Sequence, residues 1–180
     1  MREKPFPIYA AVRYVIRREL FEDKNLCFPT NLLHEDEYFG RVLLYKAETV
    51  RLLDAPAYAY RIRGGSITTV PKIKSSEDIL MIHDLLMAFS ESHVLPEDKK
   101  WFQEDALTLI RCGFTRNEKL YSTEEFKSFR KKNLRYILRE YKKYGGSLSA
   151  KKWLSDISLF IFPRLHTRLF YLFESLRREK

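Results

Sequence analysis

Three consecutive carboxylates, Glu35-Asp36-Glu37, stand in the segment Leu32-Leu33-His34-Glu35-Asp36-Glu37-Tyr38-Phe39, between an apolar pair and two aromatics. Adjacent carboxylates repel one another, so the cluster needs a reason. One reason is structural: acidic residues at a helix N-terminus complement the helix dipole and solvate its first turn. The other is chemical: a positioned carboxylate can take the proton of a neutral hydroxyl as a new bond forms. The Glu-Asp dipeptide alone does not choose, because it begins at positions 22, 35, 77, 97 and 104. Most such pairs only cap or solvate helices.

A second grouping follows in Ala57-Tyr58-Ala59-Tyr60-Arg61-Ile62-Arg63, which alternates with period two. Strand geometry puts Tyr58, Tyr60 and Ile62 on one face and Arg61 and Arg63 on the other. Gly64-Gly65 then makes a turn before Ser66. The plain reading is an edge strand with arginines facing solvent.

The elements that would position these groups read as mixed α/β at first. Residues 10–17 are rich in β-branched and aromatic side chains and suit a strand, with a short helix over 18–24. Phe39, Val42, Leu43 and Ala47 recur at helical spacing after the acidic cluster. Residues 49–53 then suit a second strand and 57–63 a third. From Lys74 onward the chain reads as helical. Ser75-Ser76-Glu77-Asp78 resembles an N-cap, with Ile79, Ile82, Leu86 and Phe89 on one face. Pro96 opens a second helix carrying Trp101, Phe102, Leu109 and Ile110. Ser122-Thr123-Glu124-Glu125 is a capping box for a third, which Gly145-Gly146 ends, and Pro163 opens the last.

The stretch 10–68 resembles the later half of the catalytic domain of family 2 glycosyltransferases. The matching residues are "VRYVIRRELFEDKNLCFP", "LLHEDEYF" and "LLDAPAYAYRIRGGSIT", in the family's order and at plausible spacing. The resemblance implies inverting transfer of a sugar from a nucleotide donor to an acceptor hydroxyl, on a glycan or a lipid-linked acceptor. It assigns the general base to Asp36, the second acidic residue of the motif, with Glu35 and His34 orienting or tuning it. Glu37, Arg61, Arg63 and Ser66 would serve the acceptor or the departing diphosphate, whose charge a pair of guanidinium groups can stabilise. For His34 and Glu37 the plain alternative is that they cap the turn. The family's metal-binding Asp-x-Asp precedes the matched region and is absent from this sequence. No metal or cofactor site is therefore assignable, and Mg or Mn is expected only with the donor-binding half.

The implied fold class runs from α/β to mostly α. Residues 1–72 would be the incomplete C-terminal half of a GT-A type domain with few strands, and 73–180 a helical appendage with a basic tail. Such a fragment of a polysaccharide- or glycolipid-forming enzyme is expected to be inactive without its nucleotide-binding half.

Composition narrows the classes further. The 180 residues include only 6 Gly, and no glycine-rich phosphate loop is present. Cys27 and Cys112 sit in apolar surroundings and read as buried free thiols of a reducing cytoplasm. No apolar run approaches the roughly 20 residues needed to cross a bilayer.

The net charge of +9 is unevenly placed. Residues 127–180 hold 15 Lys and Arg against 4 Asp and Glu, a net of +11, while the rest holds 18 against 20, a net of −2. In the last helix Leu165, Leu169, Leu172, Phe173 and Leu176 form an apolar stripe. Arg164, Arg168, Arg177 and Arg178 would meet an anionic membrane surface, placing the chain in the cytoplasm or on the inner membrane face. The alternative function is therefore a basic helical module for membrane or nucleic acid. Nucleic acid is the weaker partner, since no nucleic-acid motif is present and Phe129 and Tyr141 suit a helix core.

Overall fold

A computed structural model describes residues 9–22, 26–53, 58–59, 70–146 and 148–178, with the backbone alone for 173–178. Six α-helices make up the described fold: α1 (Glu35–Lys46), α2 (Ile73–His93), α3 (Pro96–Thr115), α4 (Glu124–Tyr144), α5 (Ala150–Ile161) and α6 (Pro163–Arg178). Short 3-10 turns span Ala11–Arg13, Arg18–Glu22 and Glu118–Leu120.

The helix ends follow their local signals. Val94-Leu95 links α2 to α3, which begins at Pro96, where a missing N–H costs nothing. Thr123 caps α4, its hydroxyl accepting from the Phe126 N–H at 3.2 Å. Gly145 follows α4, and a Cβ there would lie 2.5 Å from the Tyr141 carbonyl oxygen. The start of α2 departs from expectation. The helix begins at Ile73 with Lys72 as its cap, so Ser75, Ser76 and Asp78 lie within its first turns and are buried.

Two core clusters share the α2–α3 pair. One joins Leu26, Phe39, Val42 and Leu43 to Ile79, Ile82, Leu86, Phe89, Phe102 and Leu109. The other joins Leu80, Leu107, Ile110 and Phe114 to Phe126, Phe129, Ile137, Tyr141, Leu159 and Phe160. Every residue of the expected α2 face is buried, while Trp101 of α3 is 50% exposed.

The expected α/β character is overturned: the described residues contain no strand, and the fold is helical. Within 10–17 the chain forms the Ala11–Arg13 turn, is extended at Tyr14 and has no regular element from there to Arg17, and 49–53 likewise has none. Strand propensity reflects packing on a pleated surface beside neighbours, and no neighbouring strand is present among the described residues. Ala11, Tyr14, Ile16 and Leu20 pack against the helical core instead. Val15, Leu52 and Leu53 are left 91%, 85% and 71% exposed. Of the third expected strand only Tyr58-Ala59 is described, outside any strand; Arg61, Arg63 and Ser66 lie outside the described residues. The thiols also differ from expectation, since Cys27 is exposed and Cys112 half-buried.

Candidate functional site

The acidic cluster forms the first turn of α1. The chain reaches it through a tight turn in which Asn31 (φ 62°) and His34 (φ 65°) take the left-handed conformation. Such a backbone costs an L-residue about 1–2 kcal/mol, so neighbouring structure must hold it. The first turns of α2 do so. The Asp78 carboxylate accepts from the Leu33 N–H at 2.8 Å, and Lys74 bridges Asp78 to the Asn31 carbonyl. His34 Nε2 and the Ser75 hydroxyl share a 2.6 Å hydrogen bond. Burial, with Arg116 nearby, lowers the His34 pKa, which keeps the ring neutral at pH 7.

The three carboxylates meet different surroundings. Glu37 accepts from Arg41 at 2.7 Å and from Arg116 at 2.6 Å. Burial opposes its charge, but the two guanidinium groups outweigh burial and hold its carboxyl below its ordinary value. Arg41 is 5% exposed and also donates from Nε to Asp105 at 2.7 Å. Tyr9 closes this network, its ring 3.8 Å from the Arg41 guanidinium carbon and its hydroxyl donating to Asp105 at 2.8 Å. Gly40 admits Tyr9 to this position, because a Cβ at 40 would lie 2.8 Å from the Tyr9 carbonyl oxygen.

Asp36 is half-buried and forms no ion pair among the described residues. Burial, then Glu37 and Glu35, push its carboxyl above its ordinary value. A carboxylate whose basicity is raised despite Arg116 nearby, and that no ion pair holds among the described residues, is suited to accept a proton. Glu37 is suited to hold structure.

Within the acidic turn Glu37 already serves two guanidinium groups. Among the described residues no three His, Cys, Asp or Glu side chains converge as metal ligands.

Over 65 residues the chain is 40% identical to a protein described as "Uncharacterized glycosyltransferase EpsJ" from Bacillus subtilis (strain 168). It resembles a glycosyltransferase. The match takes in 36% of this chain and 19% of that protein, so the chain spans about a fifth of the length of its relative. No family model and no solved structure matches the chain.

Beside that similarity, the structure brings His34, Glu35, Asp36 and Glu37 together on one turn. It places Arg164 and Arg168 elsewhere, lining a cleft of about 340 Å³ with Glu118, Tyr121, Ser122 and Thr167. The side chains of Arg177 and Arg178 lie outside the described ones. Phe129 and Tyr141 are buried, which removes them as stacking platforms for bases. No helix among the described residues is long and apolar enough to cross a membrane.

The sequence reading marks Ser75 and Asp78 only as a cap and does not mark Arg41, Asp105 or Arg116. Glu37 and Arg41 stand four apart on a helix, a spacing that signals a salt bridge. The other partners come from 41 to 79 residues away and leave no local mark.

Proposed function

We propose that this chain is part of a glycosyltransferase of the family 2 kind, in which Asp36 is the general base. The observation that carries this reading is the contrast between adjacent carboxylates, Glu37 neutralised by two arginines and Asp36 left basic and without an ion pair among the described residues. As the acceptor hydroxyl oxygen attacks the anomeric carbon of a nucleotide-sugar, an Asp36 oxygen takes its proton. The bond to the nucleoside diphosphate breaks on the opposite face, with inversion, and the diphosphate leaves with the bonding electrons. Neutral His34 and half-buried Glu37 position the turn, while Glu35 keeps negative charge beside Asp36. Arg61, Arg63 and Ser66 are proposed for the departing diphosphate. The acceptor is a glycan or lipid-linked glycan, and the place of work is the cytoplasm or the inner membrane face. The similarity to a glycosyltransferase over 65 residues supports the reaction class.

The test joins this chain to a donor-binding region and measures release of nucleoside diphosphate. Asp36→Asn should lower turnover by about 10²–10⁴-fold with donor binding unchanged. Near-normal turnover in that variant would sink the assignment.

A further inference from the structure

The acidic turn leaves α6 unexplained. Leu165, Leu169 and Leu172 fall within about 60° of arc on this helix, at ~100° per residue. They are 54%, 45% and 54% exposed. The helix meets the body by other positions: Pro163 is buried, Thr167 is half-buried, and His166 Nδ1 shares a 2.7 Å hydrogen bond with the Ser158 hydroxyl. A surface helix of a globular protein normally turns its leucine stripe inward. Here the stripe faces out, with Phe162, Phe170 and Tyr171 also more than half exposed.

Charge selects what covers it. Arg168 lies about 40° from Leu172 around the helix, and Arg164 about 40° beyond that. Both line the cleft with Ser122, Thr167 and Tyr121, and its one carboxylate, Glu118, accepts from the Tyr171 hydroxyl at 3.3 Å. A second copy of the chain would bring this basic face against another basic face, and like charges in juxtaposition disfavour association. An apolar stripe bordered by arginines instead matches a bilayer whose phosphates are anionic. At 16 residues the helix is about 24 Å long, shorter than the hydrocarbon layer, so it lies in the interface.

We propose that α6 is an interfacial helix, its leucine stripe seated among acyl chains and Arg164 and Arg168 bound to the phosphates of anionic lipids. The test is co-sedimentation of the full chain with phosphatidylcholine–phosphatidylglycerol vesicles, against pure phosphatidylcholine. The chain should pellet with the mixed vesicles and much less with the neutral ones. Arg164→Gln with Arg168→Gln should weaken binding about fivefold for each arginine removed. Leu165→Ser with Leu169→Ser should weaken it by more than about tenfold, with every charge kept. Equal pelleting with neutral vesicles, no pelleting at all, or undiminished binding by the leucine variant would each overturn the proposal. So would a concentration-dependent dimer abolished by the leucine variant, which would make a second copy the occupant.

Discussion

The acidic turn and α6 both concentrate charge of one sign, and they treat it in opposite ways. At the turn, Arg41 is buried and ties half-buried Glu37 and Asp105 together, with Arg116 closing over Glu37 from the surface, so the charge is largely enclosed. On α6, Arg164 and Arg168 stay exposed beside exposed leucines, and packing falls to Pro163, His166 and Thr167. Enclosed charge fixes geometry because an unpaired partner is costly; exposed charge fixes nothing and stays available to an outside ligand. Like composition therefore separates into a rigid site and an open surface according to burial alone.

The largest break in this comparison should come at Arg41. Arg41→Met takes a buried guanidinium from half-buried Asp105 and leaves Glu37 with Arg116 alone, and removing one partner of such an ion network costs about 3–5 kcal/mol. Urea unfolding followed by circular dichroism reads this directly. A loss below about 1 kcal/mol would show the turn to be no more enclosed than α6.

Adjacent carboxylates sharpen the comparison through pH. Glu37 has a lowered pKa, so its contribution is present above its ordinary value and is lost as pH falls through the folded value. Asp36 has a raised pKa, so its contribution is present below its ordinary value and is lost as pH rises through the folded one. Glu37→Gln should therefore destabilise at neutral pH, by about 1–3 kcal/mol for a lost charged hydrogen bond, with the gap narrowing in acid. Asp36→Asn should be more stable than the parent at neutral pH, converging on it in acid. Thermal melts across that range check both, and shifts of the same sign in the two variants would contradict the assignment.

The smallest effect belongs to α6. Leu165→Ser with Leu169→Ser should change the stability of the lipid-free chain by no more than about 0.5 kcal/mol per site, as for other exposed positions. A loss of several kcal/mol in the same urea titration would mean that the stripe is core.

The helices were legible where a single residue acts on its own backbone. Pro96, Thr123, Gly145 and Pro163 mark boundaries because a missing N–H, a hydroxyl acceptor or a missing side chain works locally. The expected strands were not, since Val12, Val15 and Ile16 record a preference for a pleated surface but not whether a neighbour exists to supply one. Ser75 and Asp78 show the same limit in reverse. Their types suggest a cap, yet they sit inside α2 and hold a turn more than forty residues upstream. At the candidate site, sequence pattern picked out the acidic cluster at 34–37, but not that Glu37 would be neutralised while Asp36 has no ion pair among the described residues. That distinction is made by Arg41, which bonds Glu37 and not Asp36, together with Arg116, 79 residues from Glu37.

The separation of those anchors bears on the order in which the chain assembles. Val94-Leu95 makes α2 and α3 a local hairpin, whereas the acidic turn is tied down across 41, 45 and 79 residues. Closing long loops costs entropy before any contact is gained, so local pairs form early and distant ties late. Ties made after the rate-limiting step leave the speed of folding alone and set how long the native state lasts. With that order the acidic turn acts as a latch: loss of Arg41 or Arg116 should speed unfolding more than it slows folding, which stopped-flow kinetics would read.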